Sequence, residues 1–216
     1  MFFCVSAMLS DEKRMVLNLG QHVPRVRVPA PGQASSLGTS GRIDYTILTV
    51  DHHKHRAFSP SVHLIELRPF AESFITSSLF SLLRQQNPNG LFVAEGKLGG
   101  ALLVNRVTQV LAEMYTSAKH LRKSVIRGAL TDRHDWIFLV LYLNEDGVGG
   151  AYFQSPTIKM QVSSNYPYSV LSPGPDIIAG ILAYWVERSF VGIDEHDWFT
   201  RQITSVRIVQ VLASNF

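Results

Sequence analysis

Gly90-Leu91-Phe92-Val93-Ala94-Glu95-Gly96-Lys97 is a short apolar strand that closes on an acid and a base two residues apart. Side chains two apart on a strand point to the same face, so Glu95 and Lys97 stand side by side at the end of a buried element. Such a pair, followed by a helix with a polar stripe, is a place where chemistry can be done on a shared water. The fold is read outward from this strand. Residues 101–121 follow, with Leu103, Val107, Val110, Leu111, Met114, Ala118 and Leu121 on one helical face. Residues 125–130 and 136–143 are next as strands, and the second (WIFLVLYL) is so uniformly apolar that both of its faces must be covered. It belongs in the middle of a sheet.

Upstream, residues 42–50 (RIDYTILTV) and 62–67 (VHLIEL) have the β-branched and aromatic content of strands. Residues 70–86 space Phe70, Phe74, Leu79, Leu82 and Leu83 as a helix, and Asn87-Pro88-Asn89-Gly90 ends it. Downstream, residues 151–154 and 157–162 are shorter strands. Ser172-Pro173-Gly174-Pro175-Asp176 opens a helix to about residue 189, with Ile177, Ile178, Ile181, Leu182 and Trp185 as its buried face. Residues 206–212 fit either a strand or a helix. The order predicts an α/β or α+β fold, a mixed central sheet flanked by helices. Residues 1–40, rich in Pro, Gly, Ser and Arg over 21–41, are expected as a poorly ordered N-terminal segment, and 41–216 as a single domain.

Composition narrows the function classes. The 216 residues are 46% hydrophobic and 17% charged, with a net charge of +3, which suits a globular protein and is compatible with a nucleic-acid partner. The single cysteine, Cys4, cannot form an internal disulfide and points to an intracellular location, cytoplasm or nucleus. No stretch is long and apolar enough for a membrane span, so no membrane partner is expected. Phosphate-loop and dinucleotide fingerprints, a Gly-x-Ser-x-Gly elbow and the kinase signature set are all missing from the sequence. Oligomeric state is not legible.

A strand ending in Glu-x-Lys, an acid on an earlier strand and a following helix with an inward Gln resemble the PD-(D/E)XK nuclease-like superfamily. The matching positions are Asp44 in Arg42-Ile43-Asp44-Tyr45, Glu95 and Lys97 in Ala94-Glu95-Gly96-Lys97, and Gln109 in Val107-Thr108-Gln109-Val110. The stretch 92–143, with Glu113-Met114-Tyr115, Arg127-Gly128-Ala129-Leu130-Thr131 and His134-Asp135-Trp136-Ile137-Phe138, also resembles an uncharacterised group of fungal proteins. The first resemblance implies a restriction-endonuclease-like core and Mg²⁺-dependent hydrolysis of nucleic-acid phosphodiesters. Asp44 and Glu95 would then hold the metal, Lys97 would activate water and Gln109 would position it or the substrate. Asp44 follows Ile43 instead of a proline, and a whole predicted helix separates it from Glu95.

Hard cations take carboxylate oxygens, and an ammonium beside them can orient a water or offset charge building on the phosphate. Glu66 is a second contender for the metal, since Leu64-Ile65-Glu66-Leu67-Arg68 repeats the acid-x-base layout with an arginine that cannot serve as a base. Arg106, Gln109 and Glu113 form one polar stripe on the helix. The cluster His52-His53-Lys54-His55-Arg56 lacks the dispersed ligands of a zinc site and is read as a basic loop able to touch phosphates. Asp132, His134 and Asp135 are read as turn residues. Two functional readings stand: a metal-dependent nuclease, or a catalytically inactive nuclease-fold module for binding or assembly whose acids are spent in structural pairs.

Overall fold

The computed structural model describes residues 13–29, 36–51, 90–96, 103–132, 134–146, 149–163, 169–192 and 206–207. Strand β1 (Lys13–Pro29), β2 (Ser36–Asp51), β3 (Gly90–Gly96), β4 (Val125–Thr131), β5 (Asp135–Leu143) and β6 (Gly150–Gln154) lie in that spatial order in one sheet. The β1/β2, β2/β3, β4/β5 and β5/β6 pairs are antiparallel, whereas β3 and β4 are parallel. A parallel pair needs a crossover, and helix α1 (Val107–Leu121), entered through a 3-10 turn at Leu103–Arg106, supplies it. The fold is therefore α+β with a mixed sheet.

Strand β5 is central, as its apolar run requires. β4 flanks one side, and β6 and β7 (Ile158–Lys159) share the other. Residues 136–141 are all buried. The two faces have different covers. Ala129, Trp136, Phe138 and Val140 form one cluster with Ile47 and with Ile178, Ile181, Leu182 and Trp185 of helix α2 (Gly174–Glu187). The alternate residues Ile126, Leu130, Ile137, Leu139 and Leu141 are equally buried on the opposite face, where α1 and its entry turn pack with all seven of their expected apolar residues buried. Between β6 and β7, Ser155 extends the pairing: its N–H donates to the Phe138 carbonyl (2.9 Å) and its Oγ accepts the Phe138 N–H (2.9 Å).

Four expectations need correction. Residues 13–29 and 36–40, expected in the poorly ordered lead-in, are strand. The prolines that suggested otherwise fit because β1 ends the described sheet order and because Pro24 falls in the register irregularity between Val23 and Val26, where no ladder donor is required. Ile177 is 37% exposed, as α2 buries Ile178, Ile181, Leu182, Trp185 and Val186 instead. The strand expected over 157–162 is broken into β7 and β8 (Gln161–Val162), the latter pairing outside the main sheet with β9 (Val170–Leu171). Of the 206–212 segment, Val206–Arg207 is strand β10, paired with β6. The expected strand at 62–67, the helix at 70–86 and the loop at 52–56 lie outside the described residues. Among the described residues no helix is long and apolar enough to cross a membrane.

Candidate active site

The β2/β3 register runs Thr49↔Gly90 to Tyr45↔Ala94, and one more step sets Asp44 opposite Glu95. Residues directly opposite on antiparallel strands share a face. Ile47 faces α2, so alternation puts Thr46 and Asp44, and with them Glu95, on the α1 face. Beyond the last paired step the Gly96 N–H donates not to a backbone carbonyl but to Asp44 Oδ2 at 3.0 Å. The acid from the earlier strand thus reaches the Glu95-Gly96-Lys97 corner even though 38 residues separate Asp51 from Gly90. That long excursion leaves one strand of the sheet and returns to its neighbour.

The same corner is where β3 gives way to α1, whose N-terminal turn carries Gln109. Gln109 is exposed, not inward as its place in the motif implied. At about 100° per residue it lies on the side of the helix away from the Val107, Val110, Met114 and Ala118 face. Its Nε2 donates to Glu113 Oε1 at 3.1 Å, one turn deeper, and Glu113 is only 4% exposed. Asp44 is half-buried. Lys97 and Glu66 lie outside the described residues, as does the His52–Arg56 loop, and of Glu95 the backbone position is what is described. Among the described residues no group of three His, Cys, Asp or Glu side chains comes together. Asp132 behaves as read from the sequence: its Oδ1 accepts the N–H groups of His134 (3.0 Å) and Asp135 (2.8 Å) and so builds the β4/β5 turn.

One buried charge was not singled out by the motif. Arg127, fully buried on β4, donates from Nη2 to the carbonyls of Val191 (3.2 Å) and Gly192 (3.1 Å), and its guanidinium lies 4.8 Å from the Trp185 ring centroid. An arginine alone in the apolar strand Val125-Ile126-Arg127-Gly128-Ala129-Leu130 was the available signal, because such a position must find acceptors elsewhere in the fold. At the opposite end of α1, a cavity of about 320 Å³ sets Lys119, Arg122 and Lys123 against Glu145 and Asp146. Opposed charges and the carbonyl end of a helix suit phosphate poorly there. Comparison of the chain with protein-family models, curated proteins and solved structures gives no match.

Proposed function

We propose that this protein is a metal-dependent phosphodiesterase on a restriction-endonuclease-like core, acting on nucleic acid at the Asp44–Glu95–Lys97 corner. The observation that carries the reading is the Asp44–Gly96 hydrogen bond, which brings an acid of one strand to the Glu-x-Lys end of the next. The strand order supports it too: an antiparallel β1-β2-β3 meander, then a helical crossover to a parallel β4, is the arrangement such a core requires. The carboxylates of Asp44 and Glu95 are hard oxygen donors of the kind Mg²⁺ takes. A bound Mg²⁺ would supply Lewis-acid stabilisation of charge on the scissile phosphate. Lys97 orients the attacking water or offsets phosphate charge, and the half-buried setting of Asp44 strengthens its electrostatic hold relative to open solvent.

The same bond supports a second reading. A carboxylate oxygen already taken by a backbone N–H is what a structural pair at a sheet end looks like, and a nuclease-fold binding module would keep it for that purpose. Plasmid nicking separates the two. The enzyme reading expects Mg²⁺- or Mn²⁺-dependent conversion of supercoiled plasmid to open circle, abolished by chelator and by Glu95→Ala or Lys97→Ala. Asp44→Asn is the sharper variant: the side-chain amide oxygen can still accept the Gly96 N–H, so the strand end stays closed while the charge is lost. We expect it to remain folded and to lose at least about 100-fold in nicking, in line with the cost of disturbing a metal site. Undiminished nicking by folded Asp44→Asn and Glu95→Ala would overturn the enzyme reading.

A further inference from the structure

We infer that Glu113 is a positioning residue for this site, turning Gln109 into a hydrogen-bond acceptor for metal-bound water in place of a donor to phosphate; the inference rests on the nuclease reading above. A carboxylate only accepts, so the contact between Gln109 and Glu113 fixes which end of the amide is used. Nε2 points to Glu113 Oε1 at 3.1 Å, and the carbonyl Oε1 is turned the other way. Gln109 is exposed and Glu113 buried, so the amide covers the carboxylate and offers its oxygen outward. Outward here is the end of the sheet at which β3 closes and α1 begins.

The side of the helix follows from Tyr115. Its hydroxyl bonds to the Gly149 backbone, at the β6 edge of the sheet. Two residues along a helix is about 200° of rotation, which carries Glu113 to the flank facing β2 and β1. Helix α1 does contact both of those strands. On that face of β2, Thr46 lies two residues inward from Asp44, and its hydroxyl is buried with no hydrogen-bond partner among the described residues. A buried hydroxyl in that position is satisfied by an ordered water. Gln109, Glu113 and Thr46 therefore form a wall built around water beside Asp44, with acceptors outnumbering donors. Such a wall favours the hydration shell of a cation and disfavours a bare phosphate oxygen.

Mn²⁺ binding to the full chain, followed by electron paramagnetic resonance, tests this. Wild type is expected to bind Mn²⁺ at a site lost in Glu95→Ala. Glu113→Gln, which frees the amide to flip, and Gln109→Leu, which removes the acceptor at an exposed position where folding is not at stake, should each weaken binding about 10-fold, the lower end for a partner acting through another group. The double variant should be no weaker than either single one, because both remove the same acceptor. Losses that multiply in the double variant, or Mn²⁺ affinity unchanged in Gln109→Leu, would overturn the role of Glu113 while the Glu95-dependent site stands. Absence of Mn²⁺ binding in wild type, or binding indifferent to Glu95→Ala, would overturn the nuclease reading and this inference together.

Discussion

Arg127 shows how one side chain ties the segment after α2 to the sheet. Its guanidinium reaches from the middle of β4 to the carbonyls of Val191 and Gly192, just past α2, while lying over Trp185 on α2 itself. Hydrogen bonds from a charged donor are stronger than neutral ones, and each carbonyl left buried without a donor costs about 1–3 kcal/mol. Arg127→Met, close in volume but without a donor, should therefore destabilise by more than about 2 kcal/mol. The measurement is chemical denaturation with Trp fluorescence, since Trp185 reports on the same contact. Arg127→Lys should recover only part of the loss, as a single ammonium cannot hold two carbonyls in the fork geometry of a guanidinium. An Arg127→Met variant as stable as wild type would mean that the apolar contact with Trp185 carries the docking of α2.

Among the elements, β5 and its neighbours depend on close backbone approach. A Cβ placed on Gly150 would overlap the Tyr142 carbonyl oxygen across the β5/β6 ladder, where Gly150 pairs with Leu143. Backbone cannot yield as a side-chain tip can, so Gly150→Ala should cost about 1–3 kcal/mol. Amide hydrogen exchange should show the loss concentrated in 139–143 and 150–154, with β4 still protected on its β3 side. Equal exchange in variant and wild type would show that the ladder tolerates the added carbon. The β1 correction has the same origin. Pro24 and Pro29 argued against a strand, yet a proline is harmful only where its missing N–H faces a partner, and at a sheet edge with a local register irregularity it need not.

For the molecule as a whole, pH exposes the two-sided core. Burial raises the Tyr115 hydroxyl above its usual 10.0, with the nearby Asp146 carboxylate acting in the same direction and a bond to the Gly149 backbone partly opposing it. Burial alone raises Tyr152. A group whose folded pKa is raised contributes stability that is fully present below its unfolded pKa and is lost as pH rises through the folded one. Stability should thus hold up to about pH 10 and fall beyond it as the unfolded chain ionises these tyrosines first. Denaturation midpoints at pH 8 to 11 measure this, and Tyr152→Phe should flatten the decline. A midpoint that stays level to pH 11 would mean that neither hydroxyl is shielded from solvent.

Periodicity makes the centre of the fold legible in the order of residues alone. The apolar face of α1, the doubly buried run of β5 and the core of α2 are local patterns enforced by burial, and each element forms where its pattern lies. The Glu95–Lys97 motif is visible for the same reason, as a two-residue alternation on a single strand. Pairing between distant segments carries no such signature. That Asp44 lies opposite Glu95 follows from a β2/β3 register closed across a long excursion, that Gln109 faces outward follows from which flank of α1 the sheet covers, and that Arg127 is tolerated follows from carbonyls supplied more than 60 residues later. Contacts of this kind are made by chain segments that meet only after folding, so no local pattern of residues can announce them.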